Sequence, residues 1–371
     1  MSKPKNKFII LCHGAFNYVK NKTGNMLIRY RSDEVVGIID NTKVGETAHT
    51  ELGYGGDIPV VENFDACVSK KPDTLVIGSA SQGGFISDEF RVDIIKAIES
   101  GCDIISGMHH FLNDDKEIKD LAKKHNVKLT DLRRPPDPPN FPKGSWRNRQ
   151  IPVLLIVGTD CDSGKMTTAW EVAQRLKDRG NKVEFIGTGQ TGILLSGSGV
   201  PIDAVKADFM AGEIEKLIDK VPSDTELVIV EGQGSLTNQY YAGVTLGLLH
   251  GAMPDYMLMT HDPARPLDVT DYPMSSMKEV MDLHIDLMKN FKQFMNLTAQ
   301  RKCPPGFRFD EKLKVCVPKG QGRYYGAYGF GVSKNQNTSG ETENGETENG
   351  NADTSNLSGN GNGNGNGGNG Q

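Results

Sequence analysis

The sequence predicts an α/β protein: two consecutive parallel-sheet domains and a low-complexity tail. Three observations lead there. Short Val- and Ile-rich runs alternate with polar, periodic stretches, the pattern of parallel strands covered by helices. A segment dense in proline and arginine, RRPPDPPNFPKGSWRNR, interrupts that alternation once. Residues 333–371 are glycine- and asparagine-rich, with ETENG twice in tandem and GNGNGNGGNGQ at the end.

In the first domain, residues 1–133, five runs read as short buried strands: FIILC (8–12), VVGIID (35–40), IPVV (58–61), TLVIG (74–78) and DIISG (103–107). SDEFRVDIIKAIESG (87–101) reads as a helix between two of them. Residues 134–150 are the linker. The second domain, 151–297, has strands PVLLIV, KVEFIG (182–187), ELVIVEG (226–232) and DYMLMT (255–260). Helical patterns at 166–180 and 207–221 separate them, and SSMKEVMDLHIDLMKNFKQFM (275–295) closes the domain. An arm, 298–332, holds Cys303 and Cys316 without histidine partners, a weak metal signal beside the plainer reading of a small hairpin or unstructured arm. Residues 333–371 lack the apolar surface that would offset ordering entropy and are expected to be disordered.

A formal charge of -5 with dispersed Lys and Arg gives no electrostatic footprint for nucleic acid. No apolar run approaches the roughly 20 residues that span a bilayer, so no membrane partner is expected. FIILC is shorter than the ~7–15 apolar residues of a signal-peptide core. Six scattered cysteines suit reduced thiols and a cytoplasmic location.

The chemistry concentrates in the second domain. Gly158, Thr159, Asp160, Cys161, Asp162, Ser163, Gly164 and Lys165 follow its first strand and precede a helical pattern. Glycines there let successive N–H groups converge on one anion, the helix adds the positive end of its dipole, and Lys165 supplies a point charge. Met166 stands where nucleotide-hydrolysing loops carry the Ser or Thr that holds Mg²⁺, and a thioether is a poor ligand for so hard an ion. Thr167 and Thr168 lie roughly 100° and 200° further round the helix. Glu231 falls at a strand end beside Gly232, Gln233 and Gly234, where α/β sheets bind ligands, and could accept a proton, orient an amine or hold a metal. Gln190 and Thr191 sit in a glycine-rich stretch that suits a ligand-contacting loop. Asp203 and Asp208 are candidates for a second carboxylate, and Tyr240, Tyr241, His250 and His261 cluster among glycines.

GTDCDSGKMTTA, GTGQTGILLSGSGVPIDAVKADFMAG, VIVEGQGSL and YAGVTLGLLHGAMPD resemble a family of bacterial and archaeal P-loop proteins. That family was long described only as a domain of unknown function and is associated with D-glutamate N-acetyltransferase activity. HGAF, KTGNMLIRY, VVGIIDNTKVGET, DIPVV, TLVIGSASQGG and GCDIISGMHHFL are similar to its first domain. The resemblance covers about residues 8–287. It implies a Rossmann-like N-terminal domain, a P-loop NTPase-like C-terminal domain, and acetyl transfer from acetyl-CoA to the amine of D-glutamate. On that reading residues 158–160 and 163–168 hold CoA phosphates without a metal. Glu231 or His250 serves as base, backbone N–H groups around Gly232, Gln233 and Gly234 bind the oxyanion, and Gln190 and Thr191 contact substrate. In the family further strand and helix elements follow the last helix, where this chain carries the arm and tail.

The C-terminal half also resembles dethiobiotin synthetase, which uses Mg-ATP and has Thr directly after the lysine; Met166 departs from it. ATP with Mg²⁺ is therefore the alternative cofactor set, and a non-catalytic phospholigand-binding protein is a third reading. The first half is similar to the CoA-binding domain of succinyl-CoA synthetase, so either half could hold CoA. HGAFNYVKNKTG lacks G-x-G-x-x-G spacing and gives dinucleotide binding little support. A homo-oligomer is expected, as symmetric oligomers are common for such enzymes.

Overall fold

The computed structural model describes residues 6–79, 86–294, 307–310 and 315–318. The first domain runs β1 (Phe8–Leu11), α1 (Lys22–Arg31), β2 (Val35–Ile39), α2 (Ala48–Leu52), β3 (Val60–Val61), β4 (Thr74–Ile77), α3 (Asp88–Glu99), β5 (Asp103–Ser106), α4 (Lys116–His125) and β6 (Leu129–Asp131). Its strands pair in parallel in the order β3-β2-β1-β4-β5-β6, so the order reverses between β1 and β4. This is the Rossmann arrangement, with its binding crevice outside the carboxyl ends of the strands at the reversal.

In dinucleotide-binding members of this fold an acidic residue after the second strand takes a ribose hydroxyl. The residue at that strand end here is Asp40, and it is fully buried. Its carboxylate accepts the amides of Gly14, Phe16 and Thr42 at 2.8–3.0 Å and the Thr42 hydroxyl at 2.6 Å. Both oxygens are engaged in folding the β1–α1 loop.

The second domain runs β7 (Val153–Gly158), α5 (Lys165–Asp178), β8 (Val183–Ile186), α6 (Gln190–Ser196), α7 (Ala207–Asp219), β9 (Leu227–Val230), α8 (Ala242–Ala252), β10 (Tyr256–Thr260) and α9 (Met277–Phe294). Its parallel sheet has the order β10-β7-β9-β8, which puts the phosphate-loop strand β7 between β9 and β10. Helix α6 replaces the loop expected around Gln190, and it ends at Gly197, whose φ of +71° needs no Cβ there. From the cysteine-bearing arm, β11 (Phe307–Asp310) pairs antiparallel with β12 (Val315–Pro318). The rest of the arm, and the tail at 333–371, lie outside the described residues.

Period-two alternation assigns each strand face to a different core. Phe8 and Ile10 of β1 join a cluster with Leu27 and Ile28 of α1, whereas Ile9 and Leu11 join Ile94 and Ile98 of α3. In β7, Leu155 and Val157 face Ile214 of α7 and Leu249 of α8, and Ile156 faces the opposite way. The first cluster does not stop at a domain edge: it continues from α1 into Trp170, Phe185, Leu194 and Ile229 of the second domain. Tyr30 and Trp170 approach to 6.1 Å between ring centroids, and the Tyr30 hydroxyl donates to Glu171 at 2.9 Å.

The linker is held down along its length. Glu213 of α7 accepts the Asn140 amide and side chain, each at 2.7 Å, and Glu215 accepts the amides of Lys143 and Ser145. Arg149 donates to the carbonyl of Ala252, the last residue of α8, and to that of Met253 just beyond it, at 2.9 and 2.8 Å. Cys12, Cys67 and Cys102 are buried free thiols, and Cys161 is a half-buried one. Among the described residues no helix is long and apolar enough to cross a membrane.

Candidate active site around the phosphate loop

Gly164, at φ +92°, turns the chain into α5, and no side chain caps that helix. Its first-turn N–H groups therefore remain open to an anion. Lys165 is the first residue of α5 and only 6% exposed. A Cβ at position 158 would lie 2.5 Å from Ser163 Oγ and 3.0 Å from Lys165 Nζ, so Gly158 keeps that space for the lysine. Nζ donates to the Asp160 carbonyl and, at 3.4 Å, meets Ser163 Oγ. Among the described residues no carboxylate forms an ion pair with it. Burial lowers the pKa of this ammonium to about 8.

Three of the residues expected to hold a cofactor also brace the loop. Asp160 is fully buried and accepts from Arg265, from Asn238 Nδ2 at 2.9 Å and from the Val269 amide at 2.8 Å. Thr159 Oγ1 lies 3.0 Å from His261 Nδ1, and its amide donates to the Thr260 carbonyl. Ser163 Oγ donates to the Asp160 carbonyl at 3.0 Å and meets Thr260 Oγ1 at 2.9 Å. Met166 has a packing role, turned against the cluster that joins the two domains. Thr167 and Thr168 are half-buried behind it.

Glu231 follows β9 directly and is 4% exposed. Gly232 lets this strand end approach the Ile156 carbonyl, with Lys165 Cδ 3.3 Å from where a Cβ would stand. Glu231 Oε2 accepts the amides of Thr188 at 2.8 Å and Gly189 at 3.3 Å. Oε1 has one long contact among the described residues, 3.5 Å from Gln233 Nε2. Gln233 also donates to Thr188 Oγ1 at 3.0 Å. Burial raises the Glu231 carboxyl to about 7, against the lowering effect of the two amides and of Lys22 and Lys165. Gly234, at φ +51°, lies against Tyr241.

The other expected residues are placed differently. Thr191 is buried in the first turn of α6, with its hydroxyl on Thr23 of the first domain, and Gln190 lies against Gly107 after β5. Asp203 pairs with Arg133, and Asp208 sits in the first turn of α7. His250 is at the far end of α8, its ring 4.2 Å from that of Phe291 in α9. That is roughly 13 Å along the helix from Tyr241, which lies against Gly234.

Sequence reasoning missed Arg265, Asn238, Thr188 and Lys22. Lys22 begins α1 and forms an ion pair with Asp162 inside the phosphate loop. The signals were KTG opening the first helix and the DPARP turn after β10. Among the described residues no group of three or more His, Cys, Asp or Glu side chains could hold a metal ion.

Comparison with known proteins gives this arrangement a family. Residues 41–135 match a domain of unknown function described as the DUF1611_N Rossmann-like domain, and residues 140–300 match the DUF1611_C P-loop domain. A crystal structure of a DUF1611 family protein from Anabaena variabilis is 30% identical, with a TM-score of 0.73 over 78% of this chain and 84% of that one. The chain belongs to the DUF1611 family. This DUF1611 chain is also 42% identical, over 238 residues, to a protein named D-glutamate N-acetyltransferase from Tritonibacter scottomollicae, covering 63% of this chain and 71% of the relative. A protein of the same name from a Pseudoalteromonas species is 44% identical over 188 residues, and there the match spans 56% of the relative's length.

Proposed function

We propose that this chain transfers the acetyl group of acetyl-CoA to the amine of an amino acid, D-glutamate foremost, with CoA phosphates held by the loop from Gly158 to Lys165. The observation that carries the reading is Lys165: a buried ammonium beside an uncapped helix start, with only carbonyl and hydroxyl partners among the described residues, calls for an anion. The name shared by the Tritonibacter and Pseudoalteromonas relatives supplies the reaction class.

The donor set favours a thioester over Mg-ATP. Met166 is turned into the domain seam, the Asp160 carboxylate is engaged by Arg265, Asn238 and Val269, and Glu231 Oε2 is engaged by two amides. A thioester is already activated and needs no phosphoryl transfer. The substrate amine attacks the thioester carbonyl, forming the C–N bond. The tetrahedral intermediate then collapses with cleavage of the C–S bond, releasing the CoA thiolate, which takes up a proton. Glu231, near neutrality, accepts the amine proton on Oε1, and backbone N–H groups at Gly232 to Gly234 stabilise the oxyanion.

The test is incubation of the purified full chain with acetyl-CoA and a panel of D- and L-amino acids. Thiol release and the N-acetylated product are followed together by mass spectrometry. Thiol release with N-acetyl-D-glutamate as the main product is expected. ADP formation from Mg-ATP, with no acetylated product, would put the ligase reading in its place.

A further inference from the structure

The phosphate loop contains an acidic residue of its own, and that residue is held by the other domain. Asp162 lies three positions before Lys165 and pairs with Lys22 Nζ. The two side chains are 55% and 61% exposed, and an ion pair so exposed contributes little to stability. It is a weak tether, and the domains are already joined there by the buried Thr23–Thr191 hydroxyl pair and by the shared apolar cluster.

Lys22 is, however, well placed as a charge. It is the first residue of α1, a ten-residue helix with neither a side-chain cap nor an acidic residue in its first turn. Helix α5 has the same two features, and Asp162 lies in the loop that enters it. The charges of Lys22 and Lys165 both act on Asp162 and on Glu231. Two lysines from two domains thus converge on one loop, and the more deeply buried of them has no carboxylate partner among the described residues.

We propose that Lys22 is a second anchor for the phosphates bound by the loop, held on Asp162 until they arrive. Asp162 is then the internal competitor of the ligand: its carboxylate occupies Lys22 in the empty site and gives it up to the incoming phosphate. The N-terminal domain contributes a ligand-binding residue to a loop that belongs to the C-terminal one. This inference rests on the reading that the loop binds phosphate, and it does not depend on the phosphate belonging to CoA.

The test measures Kd by calorimetry on the full chain with two probes, CoA and inorganic pyrophosphate. The parent is compared with Lys22→Ala, Lys22→Arg, Asp162→Asn and Lys165→Ala. Lys22→Ala is expected to weaken binding about tenfold and Lys22→Arg to retain most of it, which separates lost charge from a lost fold. Asp162→Asn is expected to tighten binding, an opposite sign that a tether would not give; Asn also tolerates the φ of +55° at this position. Equal affinities of the parent and Lys22→Ala, with binding lost in Lys165→Ala, would overturn the proposal. Pyrophosphate binding that depends on both lysines, without CoA binding, would uphold Lys22 and remove the acetyl-CoA reading. Binding of neither probe would overturn both.

Discussion

The hydroxyls of Thr23 and Thr191 meet at 2.9 Å in the seam between α1 and α6, one from each domain and both buried. Replacing either alone by Val leaves the other hydroxyl without its partner, which costs about 1–3 kcal/mol. The double variant Thr23→Val/Thr191→Val is expected to lose less than the sum of the two singles. Urea denaturation of all four proteins checks this; strict additivity would mean that the pair is not coupled.

Lys165 sets ligand affinity against stability. Its pKa is lowered to about 8, so the unfolded chain binds more protons than the folded one between pH 8 and 10.5. The penalty for burying the ammonium is therefore fully present below pH 8 and is relieved as pH rises through that window. Lys165→Met removes it, and at pH 7 the empty variant is expected to melt above the parent while losing the stabilisation conferred by CoA. Thermal scans with and without CoA test both halves of the statement.

Glu231 works in the opposite sense. Its folded pKa of about 7 exceeds the ordinary 4.5, so the folded chain binds the extra proton between those values. Stability falls as pH rises from below 4.5 to above 7, by up to about 3 kcal/mol in all. Glu231→Gln is expected to flatten that dependence and to lower kcat by roughly 10²–10⁴. In the parent, kcat declines on the acid side of about pH 7, where the base is protonated. His250→Gln keeps the parental rate, since His250 packs on Phe291 at the far end of α8. A pH–rate profile unchanged by Glu231→Gln would remove Glu231 as base.

Met166→Ser restores the hydroxyl of nucleotide-hydrolysing loops and tests whether spelling alone separates the two chemistries. Loss of a half-buried thioether from the domain seam destabilises by roughly 1–2 kcal/mol. No Mg-ATP hydrolysis is expected to appear, because the neighbouring carboxylates stay engaged. Denaturation and phosphate release measure the two effects separately.

The strands of both sheets were legible because buried parallel strands are continuous apolar runs, as FIIL and LVIV are. Leu129–Asp131 escaped because an edge strand of three half-buried residues carries no such run. Helix α6 escaped because glycines at 189, 192 and 197 read as loop, although a Cβ at Gly192 would strike Glu231. Lys165 and Glu231 could be found as a strand–loop–helix start and a strand end, features written in adjacent residues. The braces were not legible in the same way. Asp160 meets Arg265, and Lys22 meets Asp162, only after more than a hundred intervening residues have folded. No local pattern distinguishes a strand-end carboxylate that greets a ligand from one, like Asp40, that fastens its own loop.

The apolar cluster running from Ile10 and Leu27 into Trp170 and Phe185 also bears on how such a protein can change over evolutionary time. Cutting at the linker would bare aromatic surface on both fragments, Tyr30 on one and Trp170 on the other, inviting aggregation of each. Fission or shuffling would have to be accompanied by new polar faces on α1 and α5. Each half therefore supplies part of the other's buried surface.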